Sequence, residues 1–119
     1  MMISYAQNCE DVMLNRVFGR RKTGFYIDVG AADPINSSVT KWLYDIGWSG
    51  INIEPLPAFY ERLLADRPRD INLNCGASDT NGKARFYSLP LPEWSTFNRA
   101  LLPTGVAAKA RVIQVRTLT

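Results

Sequence analysis

The chain has 119 residues, 46% hydrophobic and 21% charged, with a net charge of +3 and no histidine, which bounds it to at most one ordinary globular domain and excludes a disordered polymer. Its basic residues are scattered, with Arg20-Arg21-Lys22 as the densest cluster, so a nucleic-acid partner is not expected. Cys9 and Cys75 stand too far apart for a metal-ligand spacing, and no apolar run approaches the roughly 18 residues of a membrane span, so neither a metal centre nor a membrane anchor is expected.

In chain order, the first expected element is a helix over about Cys9 to Phe18. Asn8 suits its N-cap, Glu10 and Asp11 favour its first turn, and Val12, Met13, Val17 and Phe18 share one side. Gly24 to Val29 is a nearly continuous apolar run, the pattern of a parallel strand buried on both faces. A small-residue turn, Gly30-Ala31-Ala32-Asp33-Pro34, follows it. Asn36, Ser37 or Ser38 then caps a helix to about Ile46, with Val39, Trp42, Leu43 and Ile46 inward and Gly47 as its left-handed stop.

A second strand is expected at Gly50–Glu54, then a helix with Pro57 at its first position and Phe59, Tyr60, Leu63 and Leu64 on its inner face. Pro68 stops that helix, and Ile71–Cys75 reads as a third strand. Asn81-Gly82 is a strong hairpin signal, so Ala84–Leu89 is expected to pair antiparallel with what precedes the turn. Pro90 and Pro92 open a loop to Gly105, and Val112–Leu118 alternates like a strand. Strand-helix-strand-helix-strand at this spacing implies an open, doubly wound parallel sheet. The first strand needs neighbours on both sides, yet only one side is supplied, so a truncated domain, or a subunit that completes its sheet with a second copy, is expected.

Ligands of open α/β sheets sit beyond the carboxyl ends of the strands. Asp28, Gly30 and Ala31 lie at the first such end. A dinucleotide fingerprint reads G-x-G-x-x-G, but this turn has one glycine, which disfavours a nicotinamide-dependent enzyme. An acid two residues before the glycine would repel a pyrophosphate and suit the cationic amino group of S-adenosylmethionine. Glu54 follows Gly30 by 24 residues, near the spacing of about 20 for a ribose-binding acid. Ser78 and Asp79, after the third strand, are placed to reach an adenine edge. Each has a plain alternative: Asp28 as a helix-cap or salt-bridge partner, Glu54 as a cap for the Pro57 helix, Ser78-Asp79 as an ordinary turn.

Ser4-Tyr5-Ala6-Gln7-Asn8 with Glu10-Asp11, then Gly24-Phe25-Tyr26-Ile27-Asp28-Val29-Gly30-Ala31, Gly47-Trp48-Ser49-Gly50-Ile51-Asn52-Ile53-Glu54-Pro55 and Ala77-Ser78-Asp79, closely resemble the FkbM family of S-adenosylmethionine-dependent methyltransferases. The resemblance implies a class I, Rossmann-like methyltransferase fold and O-methylation of a sugar or other small-metabolite hydroxyl. It implies that Asp28 and Gly30 form the first cofactor motif, Glu54 holds the ribose, and Ser78-Asp79 lies on the adenine side. Gln7 and Asp11 match the N-terminal motif, whose helix closes over the cofactor, and Trp94-Ser95-Thr96 resembles the substrate-side loop. The chain departs from the family at Ala32, where Asn is usual, and at Cys9. The family also continues into a further strand beside the first, which this sequence lacks.

The expectation is therefore a single domain over residues 1–119, cytoplasmic, supplying mainly the cofactor-binding half of an O-methyltransferase. A proton acceptor within it would have to be Asp33, Asp79 or a lysine, and the family pattern places the base in the missing part. The competing expectation is a non-catalytic binding or dimerising module that uses the unpaired sheet edge.

Overall fold

The parallel sheet expected around Phe25 is present. The computed structural model describes residues 2–119, and the chain divides into two units, Met1–Asn74 and Cys75–Thr119. In the first, β1 (Phe25–Val29), β2 (Ser49–Ile53) and β3 (Ile71–Leu73) pair in parallel in the order β1-β2-β3. Asp28, Asn52 and Asn72 are register partners and form one row across it. Three helices accompany the sheet: α1 (Glu10–Phe18), α2 (Lys41–Asp45) and α3 (Pro57–Asp66).

The core sits around Tyr26, Leu43 and Trp48, with Leu14, Phe18, Trp42 and Ile46 packed against it. Two glycines are dictated by this packing. A Cβ on Gly24 would lie 2.5 Å from the Trp48 ring, and one on Gly50 would lie 2.1 Å from the Tyr26 carbonyl oxygen. Leu63 is the buried anchor of α3, a burial worth about 1.5–3 kcal/mol.

Several expectations are corrected. β1 is not buried on both faces: Phe25, Ile27 and Val29, which share one face of the strand, are 59%, 53% and 53% exposed, so that face is largely uncovered among the described residues, where β1 is also an edge strand. The N-cap of α1 is Cys9, exposed and left-handed at φ 59°, rather than Asn8. Asn8 is instead drawn to the Glu10 carboxylate, to which its backbone N donates at 3.0 Å. Leu14 and Phe18 form the inner side of α1, while Met13 and Val17 are exposed. α2 is shorter than expected and starts from Thr40, since Ser38 Oγ accepts from Lys41 N and ends the turn there. Leu64 lies outward on α3.

Asp11 is fully buried and gathers the N-terminal segment. Its carboxylate accepts from Ser4 Oγ (2.6 Å), Tyr5 N (2.7 Å), Ala6 N (3.3 Å) and Val12 N (2.9 Å). Burial pushes its pKa up, but these four donors outweigh burial and hold it below the usual carboxylate value.

In the second unit, β4 (Gly76–Ala77) pairs in parallel with β6 (Lys109–Arg116), and β5 (Gly82–Ser88) pairs antiparallel with β6, giving the order β4-β6-β5. The Asn81-Gly82 turn thus does not close a hairpin with the residues before it. β4 has two residues, too few for a ladder, whereas β6 offers eight with Ile113 and Val115 alternating inward. Phe97 packs on Phe86 with the rings tilted by 57° and their centroids 4.7 Å apart, and Gly76 is glycine because a Cβ there would lie 2.4 Å from that Phe97 ring.

Candidate functional site

The backbone leaves β1 in a tight turn stapled to the end of β2. Gly30 N and Ala31 N both donate to the Ile53 carbonyl oxygen, at 2.8 and 3.2 Å. Gly30 has φ 72°, and a Cβ on it would meet nothing within 4 Å, so the turn faces open space. Ala32 is also left-handed, at φ 53°, a conformation that Asn tolerates better than Ala. Ala32→Asn is expected to raise thermal stability by up to about 1 kcal/mol, read from denaturant unfolding.

Glu54 stands directly after β2, 4% exposed. Its Oε2 accepts from Ala32 N and its Oε1 from Leu56 N, both at 2.7 Å. The alternative role read from the sequence, seating the start of the Pro57 helix, is therefore real, and it coexists with a grip on the turn. Burial raises the Glu54 pKa above the usual value, opposed by the two backbone donors and reinforced by Asp28. Each carboxylate oxygen has a lone pair left to accept from a ligand hydroxyl. The structure thus brings together Gly30, Ala31, Ala32 and Glu54.

Asp28 is one strand residue further back, and its Oδ2 accepts from Thr40 Oγ1 at 2.7 Å. Burial raises its pKa, opposed by the Thr40 hydrogen bond and the Arg67 charge. Beside it lies a buried polar network with no counterpart in the sequence reading. Arg67, 1% exposed, donates from Nη2 to Pro34 O (2.9 Å) and Ser38 Oγ (3.0 Å), and from Nη1 to the Tyr26 hydroxyl (3.1 Å). Asp70 accepts from Gly50 N (2.8 Å), Asn52 Nδ2 (2.9 Å) and the Tyr26 hydroxyl. Arg67 and Asp70 stand three apart, an ion-pair spacing that was readable, but arginine beside proline reads as a solvated helix end.

Asp33 is unsuited to act as a base. Burial pushes its carboxyl up, but the Ile35 and Asn36 backbone amides, each at 2.9 Å, and the Arg62 guanidinium outweigh burial and hold it below the usual value. Gln7 is exposed, and its neighbour Ala6 forms a parallel bridge with Ser37 in the loop after the turn.

Ser78 and Asp79 belong to the second unit. Ser78 N donates to Arg116 O at 2.9 Å, and Ser78 Oγ bonds Asp79 Oδ1 (3.2 Å) and Thr80 N (3.4 Å), the pattern of a polar turn. In the Trp94-Ser95-Thr96 loop, Thr96 pairs with Tyr87 of β5 and Trp94 is exposed.

Compared with known proteins, residues 28–118 match the family described as the Methyltransferase FkbM domain. No curated protein and no solved structure matches the chain.

Proposed function

Since that match spans most of its length, the chain belongs to the FkbM methyltransferase domain family, and from this premise we propose that it binds S-adenosylmethionine on the β1 and β2 turns and methylates a hydroxyl of a sugar or other small metabolite. The observation that carries the reading is the Gly30–Ala32 turn, open at Gly30 and held from below by Glu54. The residues present fit the cofactor. Asp28 is an acid beside open backbone, suited to a cationic amino group, and Glu54 retains acceptor capacity for ribose hydroxyls. Gln7, on the N-terminal segment, completes the proposed contacts within the first unit.

When bound, the cofactor supplies an electrophilic methyl group for in-line displacement. The contribution of this chain is then mainly to hold and orient. The acceptor hydroxyl must also lose a proton. Asp33 is a weakened candidate for that role because of its donors, and the chain has no histidine. The two free thiols suit a reducing, cytoplasmic setting, and among the described residues no helix is long and apolar enough to cross a membrane.

Isothermal titration with S-adenosylhomocysteine and with NAD tests the reading. Binding of the first and not of the second is expected; a chain that binds NAD alone, or neither, refutes it. One observation favours a second reading, a dimerising module: among the described residues β1 has an unpaired edge, and Phe25, Ile27 and Val29 are exposed on one of its faces. Light scattering that finds a monomer at high concentration removes that alternative.

A further inference from the structure

We propose that Arg67 is a positioning residue for the cofactor turn: through Thr40 it aims the Asp28 carboxylate, leaving one oxygen of Asp28 for the cationic amino group of the ligand. The proposal rests on the cofactor reading above and adds to it a residue outside every motif of the site.

A buried guanidinium is normally matched by a carboxylate facing it in a two-point fork. Arg67 is not matched in that way. Its contact with Asp70 is single and long, 3.5 Å, and Asp70 is already committed to Gly50, Asn52 and Tyr26. Nη1 also donates to the Tyr26 hydroxyl at 3.1 Å and Nε has no partner among the described residues, while the other contacts of Arg67 go to the segment between the turn and α2: Pro34, Ser38 and Thr40. At Thr40 this has a directional consequence. A hydroxyl has one proton and two lone pairs. Arg67 Nη1 approaches Thr40 Oγ1 at 3.4 Å as a donor, so the Thr40 proton is directed to its acceptor, Asp28 Oδ2, at 2.7 Å. Among the described residues nothing donates to Asp28 Oδ1. Asp28 and Thr40 also line a cavity of about 470 Å³ with Leu14, Phe25 and Leu43, so the pair borders space a ligand group can enter. The charged or titratable groups around Asp28 are Arg67 and Asp70 from the α3–β3 segment, Glu54 after β2, Tyr26 on its own strand, and Arg21 on the cavity wall.

The test compares the whole chain with Thr40→Val, Thr40→Ser and Arg67→Lys. S-Adenosylhomocysteine is titrated calorimetrically from about pH 5 to pH 8, and the Asp28 carboxyl carbon is followed by NMR over the same range. Thr40→Val is expected to bind about tenfold more weakly at neutral pH, the scale of one charge-assisted hydrogen bond. Its acid limb of binding moves to higher pH, because Asp28 loses a donor that favours its ionised form. Thr40→Ser restores both, and Asp28 titrates higher in Arg67→Lys than in the wild type. Thr40→Val with unchanged affinity and an unchanged Asp28 titration overturns the proposal. A wild-type chain that does not bind S-adenosylhomocysteine refutes the cofactor reading instead; an Asp28 titration unmoved by either substitution then overturns the Arg67–Thr40–Asp28 link on its own.

Discussion

Glu54→Ala is expected to abolish measurable S-adenosylhomocysteine binding, and Glu54→Gln to weaken it by about tenfold. Alanine removes the ligand acceptor and also frees Ala32 N and Leu56 N, two donors held at 2.7 Å. Each orphaned amide costs about 1–3 kcal/mol, so a lower unfolding midpoint accompanies the loss of binding. Glutamine keeps the shape and one acceptor oxygen, but its NH2 faces either Ala32 N or Leu56 N, so a smaller loss of stability accompanies its weaker binding.

The pH dependence has a defined sign. The pKa values of Glu54 and Asp28 are both raised in the fold, by burial first. A raised acid contributes stability that is fully present below its ordinary value, 4.5 for Glu54 and 3.8 for Asp28, and that is lost as pH rises through the folded-state value. Ligand donors on these oxygens favour the ionised form, so affinity rises with pH across the same window. Calorimetry in two buffers of different ionisation heat is expected to show proton release on binding there. Glu54→Gln with wild-type affinity and no change in proton release would remove Glu54 from the site.

Arg67→Met is expected to lower stability by about 3–5 kcal/mol, as when one partner of a buried charge network is deleted. The substitution leaves Asp70 buried without its cation and strips Pro34 O and Ser38 Oγ of donors at 2.9 and 3.0 Å. Replacing an exposed arginine outside any buried network, such as Arg20, has no such consequence and stays within about 0.5 kcal/mol. Urea unfolding monitored by the core tryptophan Trp48 measures both. A loss under about 1 kcal/mol for Arg67→Met would mean that the network relaxes around the gap.

The sheet of the first unit was legible because its strands are short apolar runs separated by signals of definite physical meaning. Pro57 stands at the first position of α3, Gly47 has φ 112°, and the glycine turn after β1 has φ 72° at Gly30. Glu54 could be picked out because its spacing from that turn is set by one helix and one strand. The failures share a cause. Val12, Met13, Val17 and Phe18 fit helical periodicity, yet what faces inward on α1 depended on where Trp48 and Tyr26 lie. The partner of β5 could not be read from Asn81-Gly82, since a turn signal says nothing about a strand almost thirty residues later.

The three apolar strands, the glycine turn after β1 and the motifs of the family to which residues 28–118 belong were all present in the sequence. The strands and the turn are set by backbone preference and by hydrophobic period, which act over a few residues. The state of the acids was settled by the fold. Asp28 meets Thr40 and the field of Arg67, Glu54 clasps Ala32 and Leu56, and Asp33 is taken by its own loop and Arg62. Burial and hydrogen bonding, which set whether a carboxylate can serve a ligand, arise from residues brought together from distant parts of the chain.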